Sequence, residues 1–437
     1  MKNHLKISLW LKPLIFFQAY LTIILLLFFY GPWPWPIDDS SFIYTYLILA
    51  QIFIFLGYLA SRNRVIKIIN YSKKLDKISV DFVHKKNLKY FKYALIVSAI
   101  FAIPTCFSRT GYLFPIYFSQ LEDTGNLYLS SIQNRTPFFE YLRIIFCLPL
   151  FSLLPLTVLC WKKIENKYKF FSLFLIFFYL LIYINMGTNK GLFDLLILLP
   201  WLTYLVNVRS GKTRILTYLW KNKILVVFMV IFLFFVGSFF TSSQINRSGM
   251  VGIDSVMMID GSPLYAEKNN SDFTQSMSDE VFIGYASITR YLTHGYYALS
   301  MARDVDYSFT FLVGNSIFLS QNIDNLLGYD YFTKNSYPGQ LEQQKDYSYN
   351  QLWHSLYSWL ISDFSLYGTL LIIFLLSYLL SVTWISSIYL NNYLNIVKFS
   401  VLLILFFYIP ANNQIAQSPE SFVLFYWLFF FKRVNEK

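Results

Sequence analysis

Residues 9–30 read LWLKPLIFFQAYLTIILLLFFY and contain a single charged side chain, that of Lys12. A helix needs about 20 predominantly apolar residues to cross the roughly 30 Å hydrocarbon core of a bilayer, so this run predicts a transmembrane helix. Nine further apolar stretches follow it, at 41–60, 92–108, 142–161, 168–187, 189–206, 223–241, 366–388, 396–411 and 420–431, and those at 92–108, 396–411 and 420–431 are the weakest. Backbone groups in lipid must pair within their own segment, and the period-2 alternation of a membrane barrel is missing. We therefore predict an all-α chain, a polytopic bundle of about 10–12 transmembrane helices.

The composition of the whole chain agrees with this prediction. Its residues are 56% hydrophobic and only 14% charged, against roughly 25% charged in a soluble domain. The segment Gly31-Pro-Trp-Pro-Trp-Pro36 after the first run has no small-residue cleavage site, so we expect an uncleaved first span. We interpret residues 1–437 as a single integral membrane domain.

The basic residues are distributed unevenly between the two sides of the predicted membrane. If alternate loops are assigned to the two sides, the side with both termini holds 26 of the 36 Lys and Arg residues but 4 of the 24 Asp and Glu residues. Lys and Arg collect in cytoplasmic loops, so both termini are predicted to be cytoplasmic and the large loop 241–365 to lie outside. The net charge of +12 reflects this topology, and no basic-aromatic stripe remains to suggest nucleic-acid binding.

Ten basic residues remain on the outer side, where such residues are disfavoured. Five of them are candidate ligands for an anion, at or near the ends of spans or in the large loop: Arg109, Lys190, Arg247, Arg290 and Arg303. Arginine in particular matches phosphate oxygens with two parallel donors. The alternatives are side chains that snorkel to the headgroups and, for Lys190, an ion pair with Asp194 four residues on.

One apolar segment of the large loop, residues 281–302, reads VFIGYASITRYLTHGYYALSMA. It predicts a re-entrant or interfacial helix packed against protein. On such a helix Arg290, His294 and Tyr297 are spaced i, i+4, i+7 and share one face, which suits anion binding and proton transfer. The alternative is an interfacial helix whose aromatic residues form a belt.

A second segment, residues 349–368, reads YNQLWHSLYSWLISDFSLYG and leads into the eighth span. His354 is a candidate general base because an imidazole titrates near neutral pH, and the alternative is a hydrogen-bonded interfacial histidine. Asp363 lies nine residues further on, about 180° around a regular helix, so the two cannot face one pocket unless the helix breaks. We expect Asp363 to cap the span or to orient a neighbour.

Motifs for nucleotides and metals are absent from the sequence. It contains no GxGxxG, GxxxxGK[ST], HExxH or GxSxG pattern and no cluster of Cys and His. We therefore expect neither a cofactor nor a metal. An enzyme acting on the outer side would need a substrate that arrives already activated, for instance on a lipid carrier.

The two loop segments resemble the Wzy-type polymerases of O-antigen and capsule repeat units. The resemblance rests on Tyr291-Leu-Thr-His-Gly-Tyr-Tyr-Ala-Leu-Ser300, Gly314-Asn-Ser316, Trp353-His354, Ser362-Asp-Phe-Ser-Leu-Tyr-Gly368 and the turn Gly187-Thr-Asn-Lys-Gly191. The layout of ten or more spans with one late periplasmic loop matches over most of the length. The related O-antigen ligases carry His-[Asn/Ser/Gln]-x9-Gly-x-x-Thr-Gly, whereas His354-Ser355 is followed by Ser365 and then Gly368-Thr369, which favours a polymerase.

The resemblance implies a GT-C-like bundle that transfers a glycan from undecaprenyl pyrophosphate to the sugar of another lipid-linked repeat unit, without a metal. It implies His354, or second His294, as the base. The cations Arg290, Arg247, Arg109, Lys190 and Arg303 would bind the pyrophosphate, and Tyr296, Tyr297, Trp353 and Asp363 would contact sugar or lipid.

The same resemblance implies a bacterial inner membrane location, contact with membrane lipids and a chain-length regulator as protein partner. Three alternatives stay open from the residues: a flippase for the same lipid-linked sugars, a ligase, and a non-catalytic membrane subunit. A flippase is expected to show internal repeats, and none is evident in this sequence.

Overall fold

Long apolar helices dominate the computed structural model, which describes residues 7–75, 77–115, 127, 131, 136–211, 237–238, 240–241, 256–259, 262–268, 271–350 and 352–431. Within this described part, six helices are long and apolar enough to cross a membrane. These are Lys12–Tyr30, Ser40–Ala60 with its continuation Arg62–Lys74, Lys77–Thr110, Asn166–Asn185, Lys190–Arg209 and Leu356–Tyr389. The predicted polytopic helical bundle is thus confirmed.

The remaining predicted spans, as far as the structure describes them, are not single long helices. Pro137–Ile145 and Cys147–Cys160 form a pair bent by 57°, which adds a seventh span if the two are counted together. Tyr393–Tyr408 and Pro419–Tyr426, extended by a π-helical turn Trp427–Phe431, are apolar but shorter. The predicted span 223–241 lies almost wholly outside the described residues.

The large loop contains several short elements around one long helix. The long helix is Asp279–Ser300, and a 3-10 turn, Met301–Arg303, follows it. The other elements of the loop are the strands Val256–Ile259 and Ser262–Tyr265 and the helices Asp272–Gln275, Ile317–Leu327, Tyr331–Asn335 and Tyr337–Lys345. Outside the loop, two more short helices are present, Ile7–Trp10 at the start of the described chain and Gln414–Gln417 before the last helix. The helix predicted over 281–302 is therefore present; we call Asp279–Ser300 the His294 helix. It begins at Ser278, whose hydroxyl accepts a hydrogen bond from the amide of Val281.

The antiparallel strand pair corrects the all-α prediction locally. Val256 pairs with Tyr265 and Ile259 with Ser262. Asp260-Gly261 stands between the strands in the sequence, a dipeptide typical of two-residue hairpin turns flanked by apolar residues. The signal was present in the sequence, but the pair is too short to change the fold class.

The centre of the bundle is the contact between Leu356–Tyr389 and Ser40–Ala60. Small residues bring the two backbones together: a Cβ on Gly57 would lie 2.1 Å from the carbonyl oxygen of Phe374. The hydroxyl of Ser377 donates to the carbonyl of Ile54 at 2.6 Å. Close packing and hydroxyl hydrogen bonds of this kind stabilise helix pairs in lipid, where the hydrophobic effect between helices is weak.

We expect Gly57→Ala to destabilise the protein, because its added methyl group must displace a backbone carbonyl rather than a flexible side chain. Overpacking typically costs about 1–3 kcal/mol. Cys106, Cys147 and Cys160 are all free and buried, so a thiol-reactive dye reports thermal unfolding of purified protein. Gly237→Ala is the matched control, since none of the described residues lies within 4 Å of a Cβ there. Equal midpoints for the two variants would contradict this account of the interface.

The helix Leu356–Tyr389, which we call the broken helix, is interrupted at Ser365. This residue has φ 59° and ψ 175°, a conformation that is rare outside glycine. Its hydroxyl accepts a weak hydrogen bond from the amide of Gly368 at 3.4 Å. The first half of the broken helix therefore has its own axis, separate from that of the membrane half.

Contacts between distant segments place the predicted inner loops together at one end of the bundle. Asn87 donates to the carbonyl of Asn391 at 2.6 Å, and Arg209 donates to the same Asn391 through its side chain. Segments predicted to be outside meet at the other end, where Arg109 lies 2.9 Å from Glu420. The grouping of these loops into two sides agrees with the alternation of the predicted spans, and which side is cytoplasmic stays a prediction.

Candidate functional site

The two histidine-bearing segments, far apart in the sequence, meet at Gly295. A Cβ on Gly295 would lie 2.3 Å from the carbonyl oxygen of Pro410 and 2.8 Å from the amide nitrogen of Ser355. The amide of Leu356 donates to the carbonyl of Ile409 at 2.9 Å. Three segments therefore cross in backbone contact, with His294 and His354 each one residue from the crossing.

His354 precedes the broken helix, which begins after Ser355, and its ring has a defined tautomer. The Nε2 atom lies 3.2 Å from the carbonyl oxygen of Ser348. A carbonyl can only accept a hydrogen bond, so Nε2 carries the proton and Nδ1 has the free lone pair. Nδ1 is buried and has no hydrogen-bond partner within the described residues.

The rings of Tyr347 and Trp359 enclose His354 edge-on, at centroid distances of 5.1 and 5.9 Å. The side chain is only 1% exposed. Burial disfavours the charged imidazolium and lowers the pKa of His354 to about 4. The imidazole is therefore neutral at physiological pH.

His294 lies on the neighbouring side of the crossing and is 5% exposed. Both of its ring nitrogens are buried, with no partner in the described part of the chain. Burial, followed by the nearby charge of Arg290 and by repulsion from any protonated His354, holds the pKa of His294 well below its usual range. The rings of Tyr291 and Trp353 lie beside it, at 6.2 and 5.9 Å.

A series of aromatic contacts connects this histidine pair to two of the predicted cations. Arg290 lies over the ring of Tyr291 at 5.9 Å, and that ring is 4.7 Å from Trp353. On the other side Trp353 lies 6.5 Å from Tyr408, whose ring Lys190 approaches to 6.0 Å. The structure thus brings Arg290, Lys190 and both histidines into one region.

Lys190 also forms the local ion pair that the sequence left as an alternative. Its Nζ lies 2.7 Å from Oδ2 of Asp194. The other Asp194 oxygen, Oδ1, is buried without a hydrogen-bond partner among the described residues. The charge of Lys190 is consequently balanced in this structure.

Two of the other three candidate cations lie elsewhere, and the third is outside the described residues. Arg109 is paired with Glu140 and Glu420 at 2.8 and 2.9 Å in a buried network. Arg303 is exposed, pairs with Asp39 at 3.1 Å and lies 4.3 Å over the ring of Phe42. Arg247 lies outside the described residues. A pyrophosphate-binding role for these three stays a prediction.

Tyr296 and Tyr297 are each 2% exposed and pack into the aromatic core. Tyr296 contacts Phe28 at 5.8 Å, and Tyr297 stacks on Trp35 at 5.3 Å. Tyr296 thus packs the His294 helix against the first span, and Tyr297 packs it against the segment that follows that span. Contact between either ring and a sugar or lipid stays a prediction.

Asp363 orients a neighbouring loop, which the sequence analysis gave as one of its two expected roles. Its two carboxylate oxygens accept from the amide and hydroxyl of Thr310 at 2.6 and 2.8 Å. One of them also accepts from the side chain of Asn315 at 2.7 Å. Because the break at Ser365 comes after Asp363, it does not bring Asp363 and His354 to one face.

Sequence reasoning missed a buried amide turn beside the crossing. Asn412 and Asn413 are each 3% exposed and lie between the last two apolar helices. Asn413 donates to the carbonyl of Asn315 at 3.1 Å, while Oδ1 of Asn412 is buried with no partner in the described residues. The signal in the sequence was Asn412-Asn413-Gln414, an amide run between two apolar segments.

The described residues contain no group of three or more His, Cys, Asp or Glu side chains placed to hold a metal ion. Comparison of the chain with family models, with curated proteins and with solved structures finds no match. The function is therefore argued from the residues alone.

The depressed histidine pKa values predict a stability that falls in mild acid. An unfolded histidine titrates near pH 6.5, and His354 titrates at about 4 when folded. Between these values the unfolded state binds more protons, so stability is full above about 6.5 and falls as the pH is lowered towards 4. The shift of His354 corresponds to a loss on the order of 3 kcal/mol.

Thermal midpoints measured from pH 7.5 to 5 check this expectation, since few carboxylates titrate in that window. The control is His354→Gln, which retains a donor for the carbonyl of Ser348 but does not titrate. The variant should show the weaker pH dependence. The same decline of the thermal midpoint in the wild-type protein and in His354→Gln would mean that His354 does not cause the pH dependence.

Proposed function

We propose that this chain is a membrane polymerase that joins undecaprenyl-pyrophosphate-linked oligosaccharide repeat units into O-antigen or capsular polysaccharide. The observation that carries the proposal is the His354 imidazole, which is neutral, oriented by the carbonyl of Ser348 and without a partner at Nδ1 among the described residues. It lies in the region that also contains His294, Arg290 and Lys190. The motifs that resemble Wzy-type polymerases supply the reaction.

In the proposed reaction the acceptor sugar hydroxyl gives its proton to Nδ1 of His354 as its oxygen bonds to the anomeric carbon of the donor. The bond from that carbon to the pyrophosphate oxygen breaks, and the pyrophosphate leaves with the electron pair. Its developing negative charge is stabilised by Arg290 and Lys190, with Arg247 as a further candidate. No metal is required to stabilise the charge on the leaving pyrophosphate in this reaction.

The arrangement in the structure is closed, because His354 is 1% and His294 5% exposed. The acceptor must therefore displace part of the surrounding loop before it reaches Nδ1. The Asn412 and Asn315 side chains each present a buried carbonyl oxygen with no partner among the described residues, which suits donors such as sugar hydroxyls. We place this end of the bundle at the periplasmic face of a bacterial inner membrane, with both termini cytoplasmic and a chain-length regulator as partner.

Two experiments test the proposal. The first is deletion of the gene in the source bacterium, and the second is an elongation assay with purified protein. Loss of a polymerase leaves single repeat units displayed on the surface, loss of a flippase stops all display, and loss of a ligase leaves long chains on the lipid carrier. Purified protein should elongate lipid-linked repeat units in the presence of a chelator. Either of the other two display patterns, or elongation that requires a metal, would contradict the proposal.

A further inference from the structure

A second group of cations lies at the other end of the bundle from the histidine pair. Lys190 and Arg209 are the first and last residues of one 20-residue helix, so they lie about 30 Å apart. At the Arg209 end, His84 and the turn residue Asn391 come together, and Lys163 is near enough for its charge to act on His84. We call these four residues the Arg209 cluster.

The backbone of Asn391 is fixed in a left-handed conformation, with φ 54°. Its carbonyl accepts from the side chain of Asn87 at 2.6 Å, and the Oδ1 of Asn87 accepts from the amide of Tyr393 at 3.0 Å. Asn87 therefore holds the turn that follows the broken helix. The Asn391 side chain contacts Arg209 and His84.

The Asn391 amide contacts the imidazole of His84. Its Oδ1 accepts a hydrogen bond from Arg209, so its Nδ2 faces the imidazole, 3.2 Å from Nδ1 and 3.4 Å from Nε2. An amide nitrogen can only donate, so one ring nitrogen of His84 accepts and the other carries the ring proton. His84 thereby supplies a ring N–H donor within the cluster.

Among the described residues, Arg209 is partnered by neutral groups alone. It donates to the Asn391 side chain and to the carbonyl of Ser387 in the last turn of the broken helix, and its Nε is buried without a partner there. No carboxylate in the described part of the chain forms an ion pair with it, in contrast to Arg109 and Arg143, which are each paired with acids. The partial negative charge at the C-terminus of the broken helix partly balances it.

The neighbouring charges increase this imbalance. Lys163 is exposed and adds a second positive charge, while Asp81 is the one described acid whose charge acts on His84. The Asp81 side chain is exposed at the start of a candidate span. The cluster is therefore a net positive, donor-rich site whose arginine has no carboxylate partner in the described part of the chain.

We propose that the Arg209 cluster binds the phosphate of an anionic phospholipid headgroup. Arg209 and Tyr389 end candidate spans and Asp81 begins one, so the cluster lies at the level where headgroups begin. Guanidinium, ammonium and imidazole N–H groups together match phosphate oxygens. Basic pockets between helix ends are also the sites where anionic headgroups bind membrane proteins.

The competing role for Arg209 is purely structural, as a cap on the C-terminal carbonyls of the broken helix. The test separates the two roles by measuring binding rather than stability. Purified protein in neutral detergent micelles is titrated with dioctanoyl phosphatidylglycerol, dioctanoyl phosphatidylcholine or inorganic phosphate. Neutral micelles remove the non-specific attraction of an anionic surface.

The variants are Arg209→Gln, Lys163→Gln and, as matched control, Lys162→Gln at the next exposed position. Lys163→Gln leaves the hydrogen bonds of Asn391 intact, so it keeps the proposal testable if Arg209→Gln does not fold. We expect saturable phosphatidylglycerol binding that weakens by about fivefold in each cluster variant, and a change below about twofold in the control.

Three outcomes overturn the proposal. Equal binding of the two lipids would show that the phosphodiester charge is not recognised. Unchanged affinity in both cluster variants would leave Arg209 as a helix cap. Inorganic phosphate that binds as tightly as the lipid would show an anion site with no lipid specificity. None of these results depends on the proposed polymerase activity, which concerns the opposite end of the bundle.

Discussion

His354→Gln is expected to reduce elongation of lipid-linked repeat units by purified protein about 10²- to 10⁴-fold, the contribution of a positioned general base. The glutamine amide can still donate to the carbonyl of Ser348, which now accepts from Nε2 at 3.2 Å. What the variant lacks is the basic lone pair at Nδ1. The loss should therefore fall on the rate of the chemical step and leave the fold intact.

The measurement is initial rate against acceptor concentration, together with the thermal midpoint of each protein. Ser348→Ala is the control, because the acceptor there is a backbone carbonyl that the substitution retains. If His354→Gln elongates chains at the wild-type rate, His354 is not the base. A fall in rate matched by collapse of the thermal midpoint would indicate a structural role instead.

The variant His294→Gln, measured in the same elongation assay, tests whether the second histidine acts as the base. Both nitrogens of His294 lack partners in the described residues, so the structure does not fix its tautomer. A loss confined to the Michaelis constant would indicate that His294 positions substrate, whereas a loss equal to that of His354→Gln would make it the base. The two histidines can thus be ranked by one set of kinetic constants.

Glu420→Gln is expected to destabilise the protein by about 3–5 kcal/mol, the cost of leaving buried charge uncompensated. The Glu420 carboxylate lies 2.9 Å from Arg109 and 3.0 Å from Arg143, and Glu140 bridges the same two arginines. Two positive and two negative charges balance in a network whose side chains are at most 18% exposed. Removing one acid leaves a net positive charge at the end of the spans.

The buried thiols again report unfolding, and Lys334→Gln is the matched control. It breaks an ion pair with Asp330 at 3.2 Å whose partners are 62% and 67% exposed, so it should cost below about 1 kcal/mol. In the double variant Glu420→Gln, Arg143→Gln the charges balance again, and part of the stability should return. Similar losses in Glu420→Gln and Lys334→Gln would contradict the importance of the network.

The network also illustrates what the sequence could and could not predict. Arg109 was recognisable as an outer cation that needs explanation, but Glu420 is more than three hundred residues away, and only packing of the helices brings the two together. The ion pair of Lys190 with Asp194 was predictable because i, i+4 neighbours share a helix face. Local geometry could be inferred from spacing, and distant partners could not.

The same distinction holds for the fold and for the histidine region. Apolar length alone predicted helices such as Lys12–Tyr30, and alternation of the predicted spans placed Asn87 and Asn391 on the same side, where the structure brings them into contact. The approach of His294 to His354 depends on Gly295, whose missing side chain lets three backbones meet. A glycine in a helix predicts that another backbone packs closely there, but it does not identify which segment of the chain that is.

The interruption at Ser365 has a mechanical consequence. The outer half of the broken helix is tied by Asp363 to Thr310, whereas the membrane half is tied through Phe374 to Gly57. Membrane helices tilt to match the thickness of the surrounding bilayer, and a rotation of the long segment can be absorbed at this one residue. We therefore expect a tilt of the membrane half to reach the segment that carries His354 only in part.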